Sequence, residues 1–108
     1  MTVNELAKKF EYEILCLPDP DKTVVHGYTG DLLSWVMGRL DSGSAWITIM
    51  SNVNIVAVAT LSDPACIILS ENVMPDEGVL ERARGQGINI LRSPKSSFEI
   101  CAEISHVL

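Results

Sequence analysis

Basic residues are scarce in this chain: eight Lys and Arg stand against fourteen Asp and Glu in 108 residues, a formal charge of −6. The eight are scattered, so a DNA or RNA backbone would find little to neutralise it, and the acidic balance disfavours anionic membrane surfaces. Long apolar runs are also missing. The longest in the middle, Ile55-Val56-Ala57-Val58-Ala59, falls far short of the ~20 residues that a membrane-spanning helix requires. Met1 to Phe10 has no basic stretch leading into an apolar one, so no secretory signal is read and a cytoplasmic chain is expected. The three cysteines, Cys16, Cys66 and Cys101, are odd in number and show no paired spacing. They fit a reducing compartment, acting as small core side chains among apolar neighbours that raise a thiol's pKa.

Catalytic signatures are equally thin. The two histidines, His26 and His106, lie far apart and neither has a carboxylate at ligand spacing, so no metal is expected. C-x-x-C, H-E-x-x-H and G-x-S-x-G are all absent. Gly38-Arg39-Leu40-Asp41-Ser42-Gly43-Ser44-Ala45 spaces two glycines as a phosphate loop does, but it has no lysine and follows a helical pattern instead of a strand. No nucleophile, general base or cofactor site can be assembled, and the chain is expected not to be an enzyme.

What is present is a patterned domain, 47% hydrophobic, long enough to bury one core. Thr2-Val3-Asn4-Glu5 and Ser96-Ser97-Phe98-Glu99 are capping boxes that open a first helix toward Phe10 and a last helix through Val107. Glu11 to Leu17 reads as a strand ended by Pro18-Asp19-Pro20-Asp21. From residue 45 onward, strands at 45–50, 65–69 and 88–91 alternate with helices at 53–61, from Pro75, and from Ser96. The helix from Pro75 has Gly85 and Gly87 to stop it. This order predicts an α/β fold, a single compact domain over 1–108 with a largely parallel central sheet and flanking helices.

The corner Val24-Val25-His26-Gly27-Tyr28-Thr29-Gly30-Asp31-Leu32-Leu33 places a strand, a two-glycine turn and a helix start in ten residues. In one reading Thr29 or Asp31 caps the helix and Gly30 takes an unusual φ. In the other, the exposed amides of Thr29, Gly30 and Asp31 face a ligand, joined by Ser70, Glu71 and Asn72 from the loop after the 65–69 strand, at the carboxyl edge where open α/β sheets hold ligands. Asp31 and Glu71 would oppose a bare phosphate, so base and ribose would carry the contacts. The helix 31–40 is apolar at Leu32, Leu33, Val36, Met37 and Leu40, with Trp35 flanking and the small Ser34 and Gly38 on the remaining side. Ser34, Trp35 and Gly38 are therefore candidate interface residues, for a dimer or an internal helix. Trp46 and Trp35 are read as core or interface.

Gly27-Tyr28-Thr29-Gly30-Asp31-Leu32-Leu33-Ser34, Trp46-Ile47-Thr48-Ile49, Asn54-Ile55-Val56-Ala57-Val58-Ala59 and Ala65-Cys66-Ile67-Ile68-Leu69 through Pro75 together resemble the DRTGG domain family over about residues 22–107. The Asp-Arg-Thr-Gly-Gly string itself is absent; Thr29-Gly30-Asp31 and Ser70-Glu71-Asn72 stand at the glycine-corner and loop positions. The resemblance implies a regulatory α/β module, found beside CBS domains and similar in fold to the N-terminal domain of HPr kinase/phosphorylase. It implies a homodimer and, by association with CBS domains, an adenine nucleotide as ligand. The competing expectation is an adaptor that binds a protein partner and no small molecule.

Overall fold

Thr2 and Ser96 begin the first and last helices by the same device. In the computed structural model, which describes residues 1–108, each hydroxyl accepts the N–H of the glutamate three residues on, and that carboxylate accepts the cap's own N–H. Between them the order is α1 (Val3–Phe10), β1 (Glu13–Cys16), β2 (His26–Thr29), α2 (Leu33–Met37), β3 (Ser44–Thr48), α3 (Asn54–Ser62), β4 (Cys66–Leu69), α4 (Val79–Gln86), β5 (Ile90–Arg92) and α5 (Ser97–Ser105). The strands form one sheet in the order β1-β5-β4-β3-β2. β2 through β5 are parallel and β1 runs antiparallel to β5, with a register irregularity between Ile14 and Cys16. The largely parallel sheet read from the sequence is thus observed.

Side-chain alternation sorts the helices onto two faces. Ala45, Ile47, Cys66, Ile68 and Leu91 meet α1 and α5 in one cluster with Leu6, Ile100 and Ile104. Trp46, Ile67, Leu69 and Ile90 meet α2, α3 and α4 in the other, with Val36, Ile55, Val56 and Ala83. β3 and β4 are buried on both faces; β4 therefore reads as an unbroken apolar run, and β3 is apolar between Ser44 and Thr48. No helix is long and apolar enough to cross a membrane.

Three expectations are corrected. The glycine corner is not a turn at Gly27: β2 runs through it, with Gly27 paired to Ala45 and Thr29 to Ile47, because a parallel neighbour supplies what strand propensity lacks. The helix expected from Pro75 starts at Val79. Asp76 N–H donates to Ser51 O, and Gly78 at φ 86 reverses the chain before the first turn. The apolar arc of 31–40 is split, since α2 spans five residues, buries Val36 and leaves Leu32, Trp35 and Met37 exposed.

Candidate functional site

The parallel strands carry both expected loops to one edge of the sheet, their carboxyl ends. β2 ends in Thr29, whose hydroxyl donates to Ile47 O at 3.0 Å, and Gly30 N–H donates to the same carbonyl at 3.3 Å. The buried Trp46 turns its indole N–H to Gly30 O at 3.0 Å. Asp31 crosses to the end of β3, where its Oδ1 accepts the Thr48 hydroxyl at 2.8 Å and the Ile49 N–H at 2.9 Å. Neither Thr29 nor Asp31 caps α2. Its cap position is Leu32, with no side-chain hydrogen bond. Gly30 holds no left-handed φ; a Cβ there would stand 3.1 Å from Tyr28 Cε2 and 3.2 Å from Val36 Cγ2, so any larger residue must push these two side chains back by a few tenths of an ångström.

The second loop is equally fastened. Ser70 is buried, its N–H donating to Thr48 O at 3.1 Å and its hydroxyl paired with that of Ser97 at 2.7 Å. Glu71 and Asn72 both take left-handed conformations, φ 57 and 58, and donate their N–H groups to Lys95 O and Ser93 O. Arg92 reaches Asn72 O at 3.3 Å while paired with Glu13. Thr48 is the residue between the two loops, bonded by its hydroxyl to Asp31 and by its carbonyl to Ser70. The sequence, read as a strand over 45–50, gives Thr48 no role; its signal is a hydroxyl between Ile47 and Ile49 in an otherwise apolar run.

A mainly apolar depression lies beside this edge instead of between the loops. It is a cleft of about 350 Å³ under α5, floored by Gly27, Thr29 and Ile47 and walled by Cys101, Ile104 and Leu108. Thr29 is the one candidate ligand residue lining it; Gly30, Asp31, Ser70, Glu71 and Asn72 line none of the three depressions. Burial raises the Cys101 thiol above its ordinary pKa, partly offset by the Thr29 hydroxyl, and burial pushes Cys66 up to about 12. Both thiols are therefore held in the unreactive form at neutral pH. His26 is exposed on β2, and His106 is the cap residue ending α5.

On the opposite helical layer, Ser34, Trp35 and Gly38 share the exposed surface of α2. Trp35 is 54% exposed and carries the Arg39 guanidinium 3.5 Å from its ring centroid, a stacking geometry that satisfies an aromatic face without burying it. α2 packs internally through Val36 and Leu40 against α3, so the small residues at 34 and 38 have no internal helix upon them.

No curated protein matches the chain. Among solved structures, a similar one is the crystal structure of the CBS and DRTGG domains of the regulatory region of a Clostridium perfringens pyrophosphatase, complexed with its activator diadenosine tetraphosphate. It superposes with a TM-score of 0.72 at 14% identity, covering 99% of this chain and 47% of that one. The chain therefore shares that fold and spans about half of the neighbour's length. The sequence profile of the DRTGG domain matches residues 5–107, and with the fold in agreement the chain belongs to the DRTGG domain family.

Proposed function

We propose that this chain is a non-catalytic, cytoplasmic regulatory domain that senses an adenine nucleotide. The carrying observation is the fold shared over 99% of the chain with a regulatory region solved in complex with diadenosine tetraphosphate. The ligand edge is that of Thr29, Gly30, Asp31, Ser70, Glu71 and Asn72. The amides of Gly30, Glu71 and Asn72 already donate to backbone carbonyls, so nucleotide contact falls to side chains. Carboxylates accept from ribose hydroxyls and the adenine amino group, and they repel phosphate. Base and ribose are thus the recognised part.

Thermal unfolding against AMP, ATP and diadenosine tetraphosphate tests this. A nucleotide at 100 times its Kd adds about 2.7 kcal/mol of stability, and Glu71→Ala should abolish the shift without unfolding the domain. A flat panel rejects the nucleotide. The homodimer belongs to this reading, formed through α2 around Ser34, Trp35 and Gly38, and light scattering of the pure protein should give a dimer that Trp35→Glu dissociates. The exposed Leu32, Trp35 and Met37 favour a second reading, an adaptor with no small ligand, in which the pure protein is a monomer and Trp35→Glu abolishes binding of a protein partner.

A further inference from the structure

We propose that the cleft under α5 binds a small, uncharged aromatic molecule whose ring donates an N–H and carries no ring acceptor, indole being the simplest of the class. At about 350 Å³ the cleft lies at the small end of ligand pockets, roughly 300–1,000 Å³, and admits one fused bicyclic ring. Ile47, Ile104 and Leu108 give it apolar walls, and no charged side chain lines it. A charged ligand would leave water for a surface that offers it no partner. The site is independent of the nucleotide reading, with which it shares only Thr29.

The polar atoms of the cleft fix the direction of the hydrogen bond. Thr29 donates its hydroxyl proton to Ile47 O at 3.0 Å, and Ser105 donates its own to Ala102 O at 3.0 Å. Both oxygens are therefore left to the cleft as acceptors. An aliphatic ligand would cover them without supplying a donor, and adenine would bring ring nitrogens that find no donor in return. An indole N–H meets one of these oxygens and leaves no polar atom of its own unpaired. Burial raises the Cys101 thiol above its ordinary pKa, so the remaining polar side chain that α5 turns to the cleft is an uncharged sulfur, which packs favourably at the edge of an aromatic ring.

Gly27 supplies a second observation. It is paired to Ala45 within β2 and its φ is not left-handed. A Cβ there would meet nothing nearer than Ile104 Cγ2 at 3.8 Å and Leu108 Cδ1 at 3.9 Å. Those are ordinary contacts, so neither backbone nor packing requires a glycine. A glycine inside a strand marks a place where a ligand or another backbone comes close. Here the close group is the face of the ring, laid on the bare backbone at Gly27 with α5 as the opposite wall.

The test titrates indole, 1-methylindole, adenine and indole-3-carboxylate into the full chain, followed by amide NMR. We expect saturable shifts for indole at residues 27–29 and 101–108. 1-Methylindole, which keeps the ring and loses the donor, should bind more weakly by roughly three-fold or more, and adenine and the carboxylate should not saturate these residues. Gly27→Ala, which sets a methyl group on the floor, should melt no lower than the natural chain yet weaken indole several-fold. Thr29→Val with Ser105→Ala removes both acceptors and should bring indole and 1-methylindole to equal affinity. The proposal is overturned by the absence of saturable shifts at millimolar indole, by 1-methylindole or adenine binding as tightly as indole, or by an unchanged indole affinity in Gly27→Ala. Indole shifts confined to residues around Trp35 or to 70–72 also reject it. Thermal shifts with nucleotides depend on Glu71 and these titrations on 101–108, so either reading fails without the other.

Discussion

Removing the Asp31 carboxylate tests whether the corner at 29–31 is held by its side chain or by the strand alone. In Asp31→Ala the Ile49 N–H is free to rehydrate, but the Thr48 side chain is fully buried and its hydroxyl proton loses its acceptor. An orphaned buried donor costs about 1–3 kcal/mol, and the exposure of Asp31 itself argues for the lower half of that range. We expect a loss of about 1.5–2 kcal/mol in urea unfolding, equivalent to a melting point lower by roughly 6–10 °C in a domain of this size. Asp31→Asn keeps a neutral acceptor and should lose about half as much. Thr48→Val removes the donor and the orphan together, so the double mutant should recover about 1 kcal/mol relative to additivity. A loss under about 0.5 kcal/mol in Asp31→Ala, or full additivity with Thr48→Val, would refute the claim that this contact fastens the corner.

Three further outcomes are expected. Asn89 is buried and joins Asp19 N–H, Asp19 O and Ala65 O, so Asn89→Ala should cost about 3 kcal/mol, and an unchanged urea midpoint would contradict it. Burial raises the Cys66 thiol to about 12, and burial, with the Glu103 carboxylate, raises the Tyr12 phenol; both stay protonated in the folded state where the unfolded chain ionises. Stability should therefore hold up to pH ~8.5 and fall above it, and Cys66→Ala with Tyr12→Phe should flatten that arm of a urea-midpoint profile, while a profile level to pH 11 would reject the linkage. Trp35 is half-exposed and Trp46 fully buried, so Trp35→Phe should remove the iodide-quenchable part of the fluorescence and leave an unquenched remainder.

The layered architecture was legible because the signals were local. A run such as Ala65 to Leu69 is apolar on both faces of its strand, and the two capping boxes need only four residues each. Gly27 was misread because a glycine between polar residues signals a break, and only the pairing to Ala45, 18 positions on, keeps it in a strand. Pro75 signalled a start that Gly78 displaced. The candidate edge was legible as to location, since strand order alone brings Thr29 and Ser70 to the same end of the sheet. Its chemistry was not. Whether an amide or a carboxylate is free depends on partners such as Ile47, Thr48 and Lys95, which lie 17 to 24 residues away and leave no pattern in the chain.

The pairing of β1 with β5 joins Glu13 to Arg92, nearly opposite ends of the chain, whereas β2 to β5 are linked by successive crossovers. Closing so long a loop carries an entropic cost that the neighbouring strand pairs avoid. The sheet should thus assemble from β2 through β5, with β1 and α1 docking last. Hydrogen exchange would show this as earlier opening of residues 3–16 than of the β3–β4 centre, which makes the first sixteen residues the least cooperative part of the native state.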